Sequence, residues 1–146
     1  MLQQLALRDA DELFALIDTN RKHLDRFGLQ FAKKYQDLAS VKRRMASCDE
    51  RIRFGIWSDH LMIGFVSLDL EDEAEIAYWL GKQFCGRGIA TVAVQAVIEY
   101  AKVCNQIEQI VAYIHPENQA SQKVAHRVQM EEIQRSEREI KFSYRL

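Results

Sequence analysis

A single proline, six glycines and three cysteines occur in 146 residues. So few breakers argue against a low-complexity or collagen-like chain. Cys48, Cys85 and Cys104 are odd in number and lack C-x-x-C spacing, so they suggest neither a disulfide framework nor a zinc site, and we read them as thiols. An excess of one charge is also missing, because 20 Lys and Arg face 21 Asp and Glu for a formal charge of −1. Without a broad basic field, nucleic acid is not the expected ligand, although a local positive pocket stays open. No apolar run approaches the length of a membrane span. Met1-Leu2-Gln3-Gln4 lacks the charged-then-apolar order of a signal peptide, so the expected compartment is the cytoplasm, without membrane partners. His23, His60, His115 and His126 show no ligand spacing, and no metal is expected.

What is there is 48% hydrophobic and 28% charged, enough to build one core and no more, so residues 1–146 are expected to form a single domain. Leu5-Ala6-Leu7-Arg8 reads as a short edge strand. Asp9-Ala10-Asp11-Glu12 sets an Asp three residues before a Glu, the signature of a helix start, and Leu13, Phe14, Ile17 and Leu24 continue one stripe. Phe31, Tyr35, Leu38 and Met45 keep helical spacing past Gly28, so the first third is expected to be mostly helical. The period then changes to two. Ile52, Phe54 and Ile56 alternate, Ser58-Asp59-His60 turns, and Leu61 to Leu70 returns as a second strand, in which Gly64 marks a bulge or a close backbone approach. Glu75 to Leu80 reads as a third strand of the same sheet, in which Trp57 and Trp79 pack.

Ile89, Val92, Ala93, Ala96, Val97, Tyr100, Ala101 and Cys104 predict a long helix, and Gln109 to Ile114 a buried strand. Pro116-Glu117-Asn118 predicts a stop and a cap before a helix over Ala120 to Val128. Ile140, Phe142, Tyr144 and Leu146 alternate as a terminal strand, paired with the segment around Ile133 to Arg138.

Strand, then Gln83-Phe84-Cys85-Gly86-Arg87-Gly88, then a long helix is an arrangement with a chemical use. Two glycines let backbone approach a ligand, and the free N–H groups and dipole of a helix start favour phosphate, a pyrophosphate above all. No Lys-Ser or Lys-Thr follows these glycines, which argues against a Walker A loop. A dinucleotide fingerprint needs a third Gly or Ala where Thr91 stands. It also needs an acid at the end of the next strand, whereas Glu108 precedes that strand.

Gln83-x-x-Gly86-x-Gly88 followed by Ala90 resembles the Q/R-x-x-G-x-G/A signature of the GNAT superfamily of acetyl-coenzyme A-dependent N-acetyltransferases. Ala74 to Gly81 resembles the preceding strand of its RimJ/RimL-type ribosomal-protein members. Pro116-Glu117-Asn118-Gln119-Ala120-Ser121 resembles their P-x-N-x-x-S element, and Asp9 to Leu24 their first helix. The resemblance covers about residues 5 to 130. It departs at Gln129-Met130, where the family usually has Gly followed by Phe, and in the short tail after Met130.

The resemblance implies an α/β (α+β) fold: a central twisted mixed sheet, splayed between the fourth and fifth strands, with helices on both faces. Acetyl-coenzyme A would lie in the splay, its pantetheine arm pairing with backbone near Tyr78 to Leu80. Gln83 and the N–H groups of Cys85, Gly86, Arg87, Gly88, Ile89 and Ala90, at the helix start that includes Thr91, would hold the pyrophosphate, and Asn118 would touch the coenzyme arm. Glu75 is the implied general base, acting through water, with an ordinary surface carboxylate as the alternative. Ser121 is the implied acid for the departing thiolate, with a hydroxyl bonded to its own helix as the alternative; the family's common Tyr four residues later is Ala125 here. In a regular strand Tyr78 faces away from Glu75, so both reach one cleft only through a bulge or twist. Cys85 is read as structural, without a paired His nearby in sequence. Phe27, Phe31 and Tyr35 either reach the acceptor groove or pack in the core.

The expected function is acetyl transfer to a primary amine. An α-amine, with a pKa of about 7.8 against about 10.4 for Lys, costs about 3.5 kcal/mol less to deprotonate, which favours a protein N-terminus as acceptor. A small-molecule amine acetyltransferase, a non-catalytic coenzyme A-binding module and, on Gly86-x-Gly88 alone, a dinucleotide oxidoreductase are the alternatives. The sequence leaves monomer and homodimer equally open.

Overall fold

The computed structural model describes residues 1–28, 30–104 and 107–146. Its strands are β1 (Leu2–Gln4), β2 (Arg51–Ser58), β3 (Leu61–Asp69), β4 (Ala74–Leu80), β5 (Gln109–Ile114), β6 (Glu131–Arg135) and β7 (Ile140–Arg145). They form one open sheet in the order β1-β2-β3-β4-β5-β7-β6. Neighbours run antiparallel except β4 and β5, which are parallel and pair only at Ala74–Ile110 and Glu75–Val111. Beyond Glu75 these two strands part, and the sheet splays.

The helices are α1 (Ala10–Thr19), α2 (Arg21–Leu24), α3 (Phe31–Lys34), α4 (Leu38–Ala46), α5 (Ile89–Lys102) and α6 (Gln119–Arg127). Helices α1 and α4 cover one face of the sheet through Ala10, Leu13, Ile17 and Val41, packed on Met62 and Phe65. Helices α5 and α6 cover the other through Val94, Val97, Ile98 and Ala125, packed on Val66, Leu68, Ile76, Ile110 and Phe142. Removing these apolar side chains from water, at about 25 cal/mol per Å², is what drives the two layers onto the sheet.

Several local expectations change. The edge strand lies at Leu2–Gln4, three residues ahead of the expected Leu5–Arg8, because Leu7–Asp9 winds into a 3-10 turn instead. Helix α1 does start after Asp9, yet Asp9 makes no bond to the helix; its carboxylate accepts from Ala6 N–H at 2.8 Å and closes that turn. Helix α5 buries Ala93, Val94, Val97, Ile98 and Ala101, so its core face is rotated from the expected stripe and leaves Val92 72% exposed. At Gly64 both expectations hold. The adjacent Ile63 is the extra residue of a bulge opposite Ile56–Trp57, and a Cβ on Gly64 would stand 2.8 Å from the carbonyl oxygen of Trp79.

Helix α6 ends where the sequence departs from the family pattern. Met130 N–H donates to Ala125 O at 2.9 Å and Gln129 N–H to His126 O at 3.0 Å, a Schellman closure with Gln129 at φ +66° and Met130 buried in the core. The left-handed cap is therefore kept with a side chain in the place of glycine. Among the described residues no helix is long and apolar enough to cross a membrane.

Candidate active site

Where β4 and β5 part, a cleft of 260 Å³ opens, and Glu75, Tyr78, Asn118 and Ser121 all line it. No bulge in β4 is needed. Its register with β3 is unbroken from Glu75 opposite Asp69 to Leu80 opposite Gly64, so Glu75 and Tyr78 do lie on opposite faces. The cleft passes through the sheet at the splay and meets both. On the α1–α4 face Glu75 sits beside Ala77, Trp79, Phe65 and Tyr35; on the α5–α6 face Tyr78 sits beside Ser121 and Asn118.

Glu75 stands in a row. Arg51 on β2 pairs with Asp69 on β3, and Asp69 pairs with Glu75 on β4, so the three side chains share one face on adjacent strands. Arg51 and Asp69 form an ion pair, with Nε to Oδ2 at 2.9 Å, that holds Asp69 below the usual carboxylate range against its burial. The Glu75 carboxyl is pushed up from its ordinary 4.5 by burial first and by the Asp69 charge second, with Arg51 opposing both. A raised carboxylate is a stronger base than an ordinary one, and it is poised in a half-buried site.

On the opposite face, burial pushes the Tyr78 phenol well above its ordinary value, so it remains a donor and gives its proton to Ser121 O at 2.8 Å. That bond ties β4 to the first turn of α6 across the splay. Asn118 caps α6 by accepting from Ser121 N–H at 3.2 Å, as its position after Pro116 predicts. The Ser121 hydroxyl is not bonded back to its own helix and has no partner among the described residues. Ser121 lines the cleft.

Gln83 to Thr91 line none of this cleft and lead into the N-terminus of α5, with Gln83 and residues 85–88 exposed. Gly86 and Gly88 take φ +79° and +78°, conformations that glycine adopts without cost, and a Cβ at either would meet nothing within 4 Å. From Gly86 to Thr91 no backbone N–H has a partner among the described residues, and the first intrahelical bond is Val92 N–H to Gly88 O at 3.2 Å. Of the expected donors, Cys85 N–H already has a partner, Lys82 O at 3.3 Å. Gln83 and Arg87 are exposed, and Ile89 and Ala90 pack on the core. Thr91 Oγ1 is buried without a partner. Leu80 fills the core, while among the described residues no strand pairs with the backbone from Ile76 to Leu80 on the β5 side. A run of free N–H groups, a helix dipole and an unpaired strand edge fit a pyrophosphate followed by an extended amide-bearing arm.

Cys85 does have a histidine neighbour. Its Sγ lies 3.7 Å from His23 Nε2, brought from α2, which local sequence could not reveal. Burial raises the thiol and lowers His23, and both shifts favour the neutral forms over a thiolate–imidazolium pair. Phe27, Phe31 and Tyr35 all line the cleft, Phe31 also joining the core and meeting Trp79 edge-on at 5.7 Å.

The parallel pair β4–β5 opens beside the N-terminus of α5, whose N–H groups from Gly86 to Thr91 have no partner among the described residues, and Glu75 and Ser121 both line the cleft between the strands. The comparisons specify the class. Residues 1–131 match the model of the acetyltransferase (GNAT) domain. YjcK of Bacillus subtilis (strain 168), described as a probable N-acetyltransferase, is 32% identical over 136 residues, 84% of this chain and 75% of its own length. Among solved structures, the ribosomal L7/L12 α-N-protein acetyltransferase RimL in complex with coenzyme A shares the fold at a TM-score of 0.88, with 18% identity over 99% of this chain and 93% of that one. The ribosomal-protein-S5-alanine acetyltransferase of Vibrio fischeri does so at 0.86, with 19% identity over 99% and 91%. The chain belongs to the GNAT acetyltransferase family. It is an N-acetyltransferase whose acetyl donor is acetyl-coenzyme A.

Proposed function

We propose that the amine acetylated by this enzyme is the α-amino group of a protein, with Glu75 as general base and Ser121 as general acid. The observation that carries the proposal is the single cleft through the sheet, which sets Glu75 on one face against Tyr78 and Ser121 on the other. Acetyl-coenzyme A supplies the thioester carbon that the amine attacks. The free N–H groups from Gly86 to Thr91, with Arg87 and Gln83, would hold the pyrophosphate. The open edge from Tyr78 to Leu80 would orient the arm, and Asn118 would meet it beside the α6 cap.

Glu75 would take a proton from the incoming ammonium, directly or through water, from the acceptor side. Its raised affinity for protons narrows the gap to an α-amine at about 7.8, whereas Lys at about 10.4 leaves roughly 3.5 kcal/mol more to supply. The Ser121 hydroxyl, without a partner among the described residues, would donate from the other side to the sulfur as it leaves. Tyr78 would act by fixing Ser121, since its hydroxyl is already given to the Ser121 carbonyl. The α-amine acceptor agrees with what the two solved neighbours are described as acetylating, RimL of ribosomal L7/L12 and the Vibrio fischeri enzyme of ribosomal protein S5.

Parallel pH–rate profiles on one α-amino peptide, with chemistry limiting, test the roles. Glu75→Gln should lower turnover by about 10²-fold near neutral pH, with the loss shrinking as pH rises and the amine arrives deprotonated. Ser121→Ala should slow turnover without that recovery. Wild-type turnover by Glu75→Gln at every pH would return Glu75 to an ordinary strand carboxylate.

A further inference from the structure

Beside the cleft, between α3, α4 and β2, lies an open groove of 580 Å³ lined by Lys33, Lys34, Arg43, Arg44, Arg51 and Arg53. Its carboxylates are few. Asp49 takes Arg53, with Nη1 to Oδ1 at 2.9 Å, and Asp69 takes Arg51. Arg44 gives its Nε to Lys34 O at 3.0 Å and lies over the Tyr35 ring at 5.2 Å. Lys33, Lys34, Arg43 and Arg44 form no ion pair within 4.0 Å among the described residues, and the one carboxylate acting on them is Asp37, which feels the Arg43 charge from outside the groove lining. In a chain of formal charge −1 this is a concentrated positive surface, and self-repulsion makes it costly unless an anion meets it.

The groove and the cleft are continuous, because Lys34, Tyr35 and Arg51 line both. Arg51 stands two strands from Glu75 along the row through Asp69, a span of about 10 Å at about 4.8 Å per strand spacing. An extended peptide crosses that span in about three residues, at about 3.3 Å each. We infer that the groove receives an acidic polypeptide segment, so that the acceptor is a protein N-terminus whose Asp and Glu side chains begin at about the fourth residue. The inference rests on the α-amine reading above and adds the acceptor's downstream chemistry. Several separate cations along an open groove suit carboxylates spaced along a chain, and such complementarity acts mainly on encounter and on the choice of partner.

Two labelled peptides with the same first three residues test it, one continuing in Asp and Glu and the other in Asn and Gln, with binding to the coenzyme A-loaded enzyme read by fluorescence polarisation. The acidic peptide should bind at least about tenfold more tightly at low salt, and its advantage should shrink as ionic strength rises. Lys33→Gln combined with Arg43→Gln, two exposed side chains outside the cleft, should remove most of that advantage. Equal binding of the two peptides, or an undiminished advantage in the double variant, overturns the inference. So does binding of tripolyphosphate or an oligonucleotide at the groove when the acidic peptide does not bind. Binding is read without turnover, so the two readings fail separately. An acidic peptide that docks but is never acetylated contradicts the α-amine acceptor, whereas neutral and acidic peptides bound and acetylated alike contradict the groove.

Discussion

Burial and the Asp69 charge together hold the Glu75 carboxyl above its ordinary 4.5, and that has consequences for stability as well as rate. A carboxyl that binds its proton more tightly when folded loses stability as pH rises from the unfolded value through the folded one. Glu75→Gln should therefore raise the melting temperature at neutral pH, and the gain should vanish below about pH 4; thermal unfolding across a pH series checks this. Asp69→Asn removes a charge that raises Glu75 and frees Arg51, which lowers it. The acid limb of the rate profile should then move to lower pH. Sequence put Glu75 and Ser121 forward by family resemblance, but it held no sign of the Arg51–Asp69–Glu75 row. Those residues come from three strands and meet only through register. His23 and Cys85 were missed as a pair for the same reason, since a contact between α2 and the loop before α5 leaves no local period.

At the scale of elements, α5 and its approach were legible because a glycine pair, a helix start and an apolar repeat are all local. The rotation of the α5 core face was not, since Ala and Val at both stripes leave the choice to the sheet that packs against it. Gly86→Val or Gly88→Val should leave the fold intact, as a Cβ meets nothing, at a cost of about 1–2 kcal/mol for a left-handed β-branched residue. Each should also abolish thermal protection by acetyl-coenzyme A, because the added side chain projects where a pyrophosphate must approach the backbone. At the other end of the sheet, Gln129 at φ +66° pays a penalty that glycine would not. Gln129→Gly should stabilise the protein by about 1 kcal/mol in denaturant titration, with coenzyme binding unchanged.

For the whole molecule, the order of strands and the split between β4 and β5 are what bring Glu75 and Ser121, the proposed base and acid, to one cleft. The parallel pairing of only Ala74–Glu75 with Ile110–Val111 leaves the rest of β4 open on that side, in a sheet with helices packed on both faces. Acetyl-coenzyme A, and not NAD or ATP, should raise the melting temperature, since a ligand of the folded state alone stabilises it by mass action. The most direct test of the account is to incubate the enzyme and acetyl-coenzyme A with a peptide that carries one free α-amine, one Lys and an acidic stretch after its third residue. Tandem mass spectrometry then locates the acetyl group. Acetylation is expected at the α-amine, with the Lys left free and the yield strongly reduced in Glu75→Gln at neutral pH. Acetylation of the Lys in preference to the α-amine, or an undiminished yield from the variant, would contradict it.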